Sequence, residues 1–258
     1  MPAPDDRIRV ALITGANQGI GYAIAARLAA DGMRVVLNGQ RAAAVAEAAK
    51  KIAATGADAA GIAADVSSEE AVSRMFEEIG SRYGRLDVLV NNAGIAPRIA
   101  GRSARVEDTP LEYWQRTIAV NLTGAFLVSR SALPFMKAQQ WGRIINLSSQ
   151  SGRMYTGFGS AYYAASKAGL IGFSRVLAGE MGKYGITVNC VSPGRIKTAM
   201  AATFANADRV DQQYIDRTPL RKVGYPDDVA GAVSFLASDE ASFITGAVLD
   251  ITGGFFMP

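Results

Sequence analysis

Apolar residues fall along this chain in short runs rich in Val, Ile and Leu, separated by longer Ala-rich segments of helical character. The runs at 8–14, 34–38, 59–64, 86–91, 143–148, 186–192 and 247–251 read as strands, and the segments at 19–31, 41–54, 68–82 and 161–183 as helices. Several runs are apolar at consecutive rather than alternate positions, as expected for strands buried on both faces. This alternation predicts an α/β fold: one doubly wound parallel sheet of about seven strands with helices on both faces, formed by residues 1–258 as a single domain. Two stretches, 95–109 and 195–221, break the rhythm. Each follows the carboxyl end of a strand, where open α/β sheets bind ligands, and long irregular stretches in such places are often functional.

Composition narrows the chemistry more than the fold. With 49% hydrophobic and 19% charged residues the chain can bury a sizeable core and is no disordered segment. Lys and Arg total 27 against 23 Asp and Glu, a formal charge of +4, but the basic residues are scattered, so no nucleic-acid partner is expected. There is no histidine. That removes Ser-His-Asp and Cys-His catalysis and most zinc chemistry, so no metal site is expected, and acid–base work falls to Tyr, Lys, Asp, Glu or a cofactor. Cys190 is the single cysteine; it forbids an intrachain disulfide, fits a reducing compartment, and lies in an apolar run that predicts a buried thiol. The first seven residues are short and acidic rather than a signal peptide, and no uninterrupted apolar stretch approaches the ~18 residues that span a bilayer. A cytoplasmic location without membrane contact is the expectation.

Thr14-Gly15-Ala16-Asn17-Gln18-Gly19-Ile20-Gly21 follows the first strand and opens the first helix. There the glycines have separate uses: Gly15 for a tight turn, Gly19 for close approach of the backbone to a pyrophosphate, and Gly21 for close helix–sheet packing, while the helix N-terminus offers N–H groups to the phosphates. The spacing is G-x-x-x-G-x-G rather than G-x-G-x-x-G. NAD-binding chains place an acid against the ribose 2′-hydroxyl about 20 residues further on. Here the second strand runs into Asn38-Gly39-Gln40-Arg41, and no acid lies between Val35 and Val45. Arg41 could pair with a 2′-phosphate, which favours NADP. NAD stays open, because an arginine at a helix start also suits plain solvation.

Tyr163-Ala164-Ala165-Ser166-Lys167 sets a phenol and an ammonium at i and i+4, on one helix face. A phenol with a pKa near 10 is a poor acid or base at neutral pH. A positive charge ~4 Å away at an effective dielectric of ~20 is worth roughly 4 kcal/mol, enough to lower that pKa by as much as about three units. A surface pair without chemistry would show the same spacing, but the surrounding residues include Ala161, Ala164, Ala165, Ala168, Gly169 and Gly172, small enough to admit a cofactor or a second helix. Tyr162 offers a competing register, with Ser166 rather than a cation at i+4.

In order and spacing these motifs resemble the short-chain dehydrogenase/reductases. The resemblance runs roughly from Ile8 to Gly254 and takes in Asp65-Val66 after the third strand, Asn91-Asn92-Ala93-Gly94 after the fourth, Asn121 in a helix, Ser148-Ser149, and Ser192-Pro193-Gly194 leading to Thr198. It implies a Rossmann-type sheet and an NADP(H)-dependent oxidoreductase interconverting a ketone or aldehyde and an alcohol. Tyr163 would be the acid in reduction and the base in oxidation, and Lys167 would lower its pKa and hold the nicotinamide ribose. Ser149 would orient the substrate oxygen, and Asn121 would hold a relay water or act structurally. Gly15, Asn17, Gln18, Gly19, Ile20 and Gly21 would bind the cofactor through the glycine loop, and Asp65 and Val66 would contact its adenine. Asn92, with Ala93 and Gly94, would support the ribose and the nearby loop, and Pro193, Gly194, Ile196 and Thr198 would cradle the nicotinamide. Two departures stand out. Gln18 occupies a position that is often basic, and the interval from Ser149 to Tyr163 is one residue longer than in many members, with Ser148 and Ser151 as alternatives to Ser149.

The resemblance also implies a substrate lid at about 195–221, carrying Met200, Phe204 and Tyr214, and a homotetramer built through the small-residue helix face and the 245–254 segment. Arg98, Arg102 and Arg105 in the 95–109 stretch either meet an anionic substrate or carrier group or are simply solvated, and Arg153, Met154, Tyr155 and Phe158 are candidates for the pocket. Reduction of a carrier-linked 3-oxoacyl group is the most familiar activity of similar chains. Sugar, polyol or other secondary-alcohol oxidation, and a catalytically silent NADP-binding sensor, are the alternatives.

Overall fold

The computed structural model describes residues 8–258. The acidic start of the sequence, and the expectation attached to it, lie outside the described residues. Strands β1 (Val10–Ile13), β2 (Arg34–Gly39), β3 (Ala59–Ala63), β4 (Val88–Asn91), β5 (Gly142–Leu147), β6 (Ile186–Pro193) and β7 (Val248–Ile251) form one parallel sheet in the order β3-β2-β1-β4-β5-β6-β7. Each lies within or beside a run read as a strand from the sequence. The helices are α1 (Gly19–Ala30), α2 (Ala42–Ala53), α3 (Glu69–Tyr83), α4 (Leu111–Ile118), α5 (Gly124–Gln139), α6 (Ala161–Met181), α7 (Ala199–Ala202), α8 (Ala207–Arg217) and α9 (Pro226–Ala237). Chain order reverses between β1 and β4, and such a reversal opens a crevice at the carboxyl ends of the two strands.

Successive strand residues point to opposite faces, so each face acquires its own core. Ala11, Ile13, Val35, Leu37, Val88 and Val90 pack with α1, α2 and α9. Val10, Leu12, Val36, Leu89, Ile144 and Val188 pack with α3, α5 and α6. Both sets are buried, which is why these runs are apolar at consecutive positions. Local signals set the helix ends. At α3, Ser68 Oγ accepts from the Ala71 N–H at 3.2 Å, Glu69 and Glu70 occupy the first turn, and Gly84 closes the helix with φ +66°.

Residues 111–139 were not resolved into helices by pattern. They form α4 and α5, joined by a π-helical turn over Ala119–Thr123. The stretch is long and apolar enough, by length and composition alone, to cross a membrane. Its apolar residues Val120, Leu127, Val128, Ala132 and Met136 lie in the second core, so packing already accounts for its composition.

At the end of the sheet away from the crevice, Asp87 is 1% exposed and accepts from the Val10 N–H at 2.8 Å and from Arg85 Nε and Nη2 at 2.9 and 2.7 Å. The pair ties β1 to the start of β4. Removing one partner of a buried ion pair leaves the other desolvated. Asp87→Ala is therefore expected to cost about 3 kcal/mol, read as a lower urea midpoint at unchanged slope.

Candidate active site

The crevice is built from the loops that follow β1 and β4. Thr14 Oγ1 accepts from the N–H groups of Asn92 and Ala93, both at 3.0 Å, and Asn92 Nδ2 donates to the carbonyls of Thr14 and Gly15 at 2.8 and 3.0 Å. Gly15 and Gly19 have φ of +64° and +59°. A Cβ on Gly21 would lie 2.4 Å from Asn92 Nδ2 and 2.5 Å from the Gly15 carbonyl. The third glycine is therefore required by packing of α1 onto this loop, not onto the sheet as the motif suggested. Gln18 precedes α1, exposed and without a capping side-chain bond, so among the described residues the N–H groups of Gly19, Ile20 and Gly21 have no helical or side-chain acceptor. An open helix N-terminus over a tight glycine turn fits a dinucleotide's phosphates.

The far end of this groove is set by β2 and β3. Asn38 is buried and donates to the carbonyls of Ile62 and Ala64 at 3.2 and 3.1 Å, so it braces the two strand ends. Gln40 and Arg41 are exposed beyond it, and the first turn of α2 holds no acid. Asn17 Oδ1 lies 3.1 Å from where a Cβ on Gly39 would sit. Asp65 accepts from the Ser67 N–H and hydroxyl at 2.9 and 2.6 Å and pairs with Arg116 at 2.8 Å. Burial raises its pKa, but these bonds win and hold the carboxyl down at about 2. Val66 turns inward, packed where Gly124 starts α5.

Near the N-terminus of α6, Tyr163 and Lys167 line the cleft beside Ser149. Lys167 is 3% exposed; its Nζ donates to the Leu147 carbonyl at 2.6 Å and lies 5.7 Å from the Tyr163 ring centroid. Burial lowers its pKa to about 8. Burial raises the Tyr163 phenol, opposed by a hydrogen bond with Ser149 and by the Arg98 guanidinium. The i, i+4 spacing brings the Lys167 ammonium to the face of the ring and to the Leu147 carbonyl, and the Arg98 guanidinium counters the upward push of burial on the phenol.

Tyr162 is fully buried, edge-on to Tyr113, and donates to the Pro97 carbonyl at 2.5 Å, so of the two tyrosines it is Tyr163 that lines the cleft. Ser149 Oγ accepts from the Ser151 N–H at 3.2 Å, while Ser148 Oγ is engaged by the Lys167 carbonyl at 2.9 Å. A Cβ on Gly152 would come within 2.7 Å of the Lys167 carbonyl carbon. Only a glycine there lets the turn after β5 sit against α6 and hold Ser149 beside Tyr163. Asn121 lies in the π-helical turn, 1% exposed. Its Oδ1 accepts from the Ile95 N–H at 2.8 Å, and its Nδ2 donates to the Ile95 carbonyl at 3.0 Å and to Ser166 Oγ at 3.1 Å. Those bonds secure the loop after β4 against α6, the structural of its two readings.

Asn92, Gly94, Pro193, Gly194, Ile196 and Thr198 line the same cleft as Ser149, Tyr163 and Lys167, with Phe158, Met200, Phe204 and Tyr214 across from the glycine loop. The other candidates do not all arrive. Arg153 pairs with Asp250 at 3.2 Å, Tyr155 is 90% exposed, and Met154 does not reach the lining. Gln150 does, unforeseen: its Nε2 donates to the Tyr214 hydroxyl at 2.8 Å. No local pattern announces that contact, because its partner lies on α8.

A family model described as enoyl-(acyl carrier protein) reductase matches residues 15–256. The chain is 42% identical to the 3-oxoacyl-[acyl-carrier-protein] reductase FabG of Aquifex aeolicus, over 96% of this chain and 97% of that protein. It is 43% identical to the acetoacetyl-CoA reductase of Allochromatium vinosum, over 96% and 99%. A solved 3-oxoacyl-[acyl-carrier protein] reductase from Brucella melitensis superposes with TM-score 0.92 at 37% identity, covering 97% of this chain and 92% of that one. A second, from the same organism with bound NAD, gives 0.90 at 36% identity, covering 99% and 94%. The chain belongs to the short-chain dehydrogenase/reductases. It is an oxidoreductase that interconverts a carbonyl and an alcohol with a nicotinamide cofactor.

In this short-chain dehydrogenase/reductase the irregular stretches meet over the cleft. The Ala205 N–H, between α7 and α8, donates to the Gly101 carbonyl at 2.9 Å, and Ser103 Oγ donates to the Phe158 carbonyl at 2.6 Å. Tyr214 on α8 packs between Phe158 and Phe255, with ring centroids 5.4 and 4.8 Å away. The 195–221 stretch is thus largely helical rather than a loop.

The buried ammonium has a measurable consequence. The folded protein releases the Lys167 proton near pH 8 and the unfolded chain near 10.5. Between those values the unfolded state holds more protons, so stability rises with pH. Relative to Lys167→Met, the cofactor-free enzyme should gain up to about 3 kcal/mol between pH 8 and 10.5, measured by urea unfolding of both proteins at each pH.

Proposed function

We propose that this enzyme uses NADPH to reduce the 3-oxo group of an acyl compound, with Tyr163 as the proton donor. The observation that carries the reading is the convergence of Ser149, Tyr163 and Lys167 on one cleft that continues into the glycine loop and the open N-terminus of α1. The names of the two relatives above supply the 3-oxoacyl substrate class. When bound, the reduced nicotinamide supplies the hydride. Burial keeps the Tyr163 phenol protonated at neutral pH, so it can donate to the carbonyl oxygen as negative charge develops there. The Ser149 hydroxyl holds that oxygen in place. Lys167, fixed by the Leu147 carbonyl, holds the ribose hydroxyls. Pro193, Gly194, Ile196 and Thr198 form the wall for the nicotinamide, Asn92 supports the ribose, and Asp65 meets the adenine.

NADP is the preferred nucleotide in this reading. The end of β2 offers Arg41 and an acid-free first turn of α2, and no carboxylate there would repel a 2′-phosphate. The proposal also places the enzyme in the cytoplasm as a homotetramer. The exposed apolar side chains of Trp114, Phe126, Val176, Phe235, Phe243 and Leu249 are ones that self-association would cover.

Tyr163→Phe should lower kcat by more than 100-fold while leaving NADPH binding, followed by fluorescence, within a few-fold. Near-normal turnover in the folded variant would eliminate Tyr163 as the acid; binding without turnover of any carbonyl by the parent enzyme would favour the silent sensor. Arg41→Asp should move the ratio of kcat/KM for NADPH over NADH towards NADH by about tenfold or more, and an unchanged ratio would place the 2′-phosphate elsewhere.

A further inference from the structure

Among the described residues three cations line the cleft, Arg98, Lys167 and Arg195, and no Asp or Glu does. Two of the three are accounted for. Lys167 is held by the Leu147 carbonyl, and Arg195 Nε pairs with Asp211 at 2.6 Å. Arg98 has no carboxylate partner among the described residues. Its Nη1 donates to the Met200 carbonyl at 3.1 Å and to Thr203 Oγ1, and its guanidinium lies 3.6 Å from the centroid of the Phe204 ring. These contacts use one nitrogen and one face of the group. The Nε is shut away from solvent with no acceptor, and no hydrogen bond to Nη2 is present among the described residues. With Nε enclosed by protein, Nη2 is the nitrogen of Arg98 left to a ligand in the cleft.

The position is fixed rather than incidental. Tyr162 holds the Pro97 carbonyl on one side of Arg98, and the tight turn at 99–102 is held by the Ala205 N–H on the other. The neighbouring arginines behave differently. Arg102 is exposed, and Arg105 sits in solvent opposite Glu107 at 3.9 Å. The loop turns one arginine of the three into the cleft. There, burial and the Arg195 charge both disfavour its cationic form, and the Tyr163 phenol lies within its field. A half-buried cation that lines the cleft and has no carboxylate partner among the described residues points to an anion supplied by the ligand.

We propose that Arg98 is the anion site for substrate: it grips a carboxylate on the substrate's own carbon skeleton, so that the enzyme reduces short oxo acids in preference to neutral oxoacyl esters or thioesters. The inference rests on the reading of Tyr163 as the proton donor and chooses the head group that accompanies the reacting carbonyl. One unpaired guanidinium matches one carboxylate. A thioester would put a neutral group against Arg98 and leave its charge unpaired.

The test is steady-state reduction by NADPH of matched pairs: 3-oxo, 4-oxo and 5-oxo acids against their methyl esters, with acetoacetyl-CoA alongside, for the parent enzyme, Arg98→Lys and Arg98→Met. For at least one acid the parent should show a kcat/KM at least about tenfold above that of its ester. Arg98→Met should abolish the preference mainly through a higher KM for the acid, and Arg98→Lys should keep part of it. A change in the Tyr163 phenol alone would move acid and ester together, so the acid-to-ester ratio isolates the proposed contact. A parent enzyme that prefers the ester or thioester throughout, or an Arg98→Met variant whose losses are equal for acid and ester, overturns the inference. Should no carbonyl be turned over, the reduction reading fails, and binding of the same pairs to the NADPH complex, read by nicotinamide fluorescence, still decides: Arg98-dependent binding of the acid supports the anion site, and its absence refutes it.

Discussion

The hydrogen bonds between Thr14 and the Asn92–Ala93 peptide hold together the carboxyl ends of the two strands that flank the chain reversal. Most of what the site can do depends on that junction. It sets the glycine loop at the mouth of the crevice, and it is why Gly21 cannot carry a side chain. It also fixes where the chain leaves β4. From there Ile95 is gripped by Asn121 and Pro97 by Tyr162, so the loop that reaches Arg98 is tied at successive points to helices packed on the sheet. The pieces that touch cofactor and substrate are short and irregular, but each is anchored within a few residues to the rigid layer beneath.

Burial, more than any pairing of charges, governs the electrostatics of the cleft. It pushes the Tyr163 phenol up, the Lys167 ammonium down and the Arg98 guanidinium down. Each shift favours the neutral form of its group. Counter-charges are few among the described residues: Asp211 answers Arg195, and no acid of theirs lines the cleft itself. Such a site is poised for negative charge, whether on a carbonyl oxygen during reduction or on a group that arrives with the substrate.

The sheet and the floor of the site were legible because their causes are local. Consecutive apolar positions in runs such as 186–192 follow from burial on two faces, and Tyr163-x-x-x-Lys167 follows from helix geometry. Ser149-x-x-Gly152 also had a local cause that the structure makes plain, namely the lack of room between the turn after β5 and α6. What pattern did not reveal depends on partners distant in the chain. The Gln150–Tyr214 bond joins β5's turn to α8, Arg153 finds Asp250 at the far edge of the sheet, and Arg116 reaches Asp65 from another helix. The 111–139 stretch escaped for a different reason: two helices run on through a π-helical turn in which Ile118, Thr123 and Gly124 all keep helical dihedrals, so no break marks the junction. Residue spacing put Lys167 on the face of Tyr163, but it could not show that its Nζ reaches the Leu147 carbonyl or that Arg98 also bears on the phenol.

The loop after β4 and the segment between α7 and α8 meet through main-chain groups, the Ala205 N–H and the Gly101 carbonyl. That bond needs a glycine on one side, because Gly101 has φ +72° and a Cβ there would lie 3.0 Å from the Ala205 nitrogen. Away from that residue the roof of the cleft can change its amino acids, and with them the shape and charge presented to a substrate, while the way it closes stays the same. In an evolving lineage, or at an engineer's bench, this makes the roof an interchangeable part: new substrates can be tried by substitution there without disturbing the sheet, the glycine loop or the Tyr163–Lys167 pair.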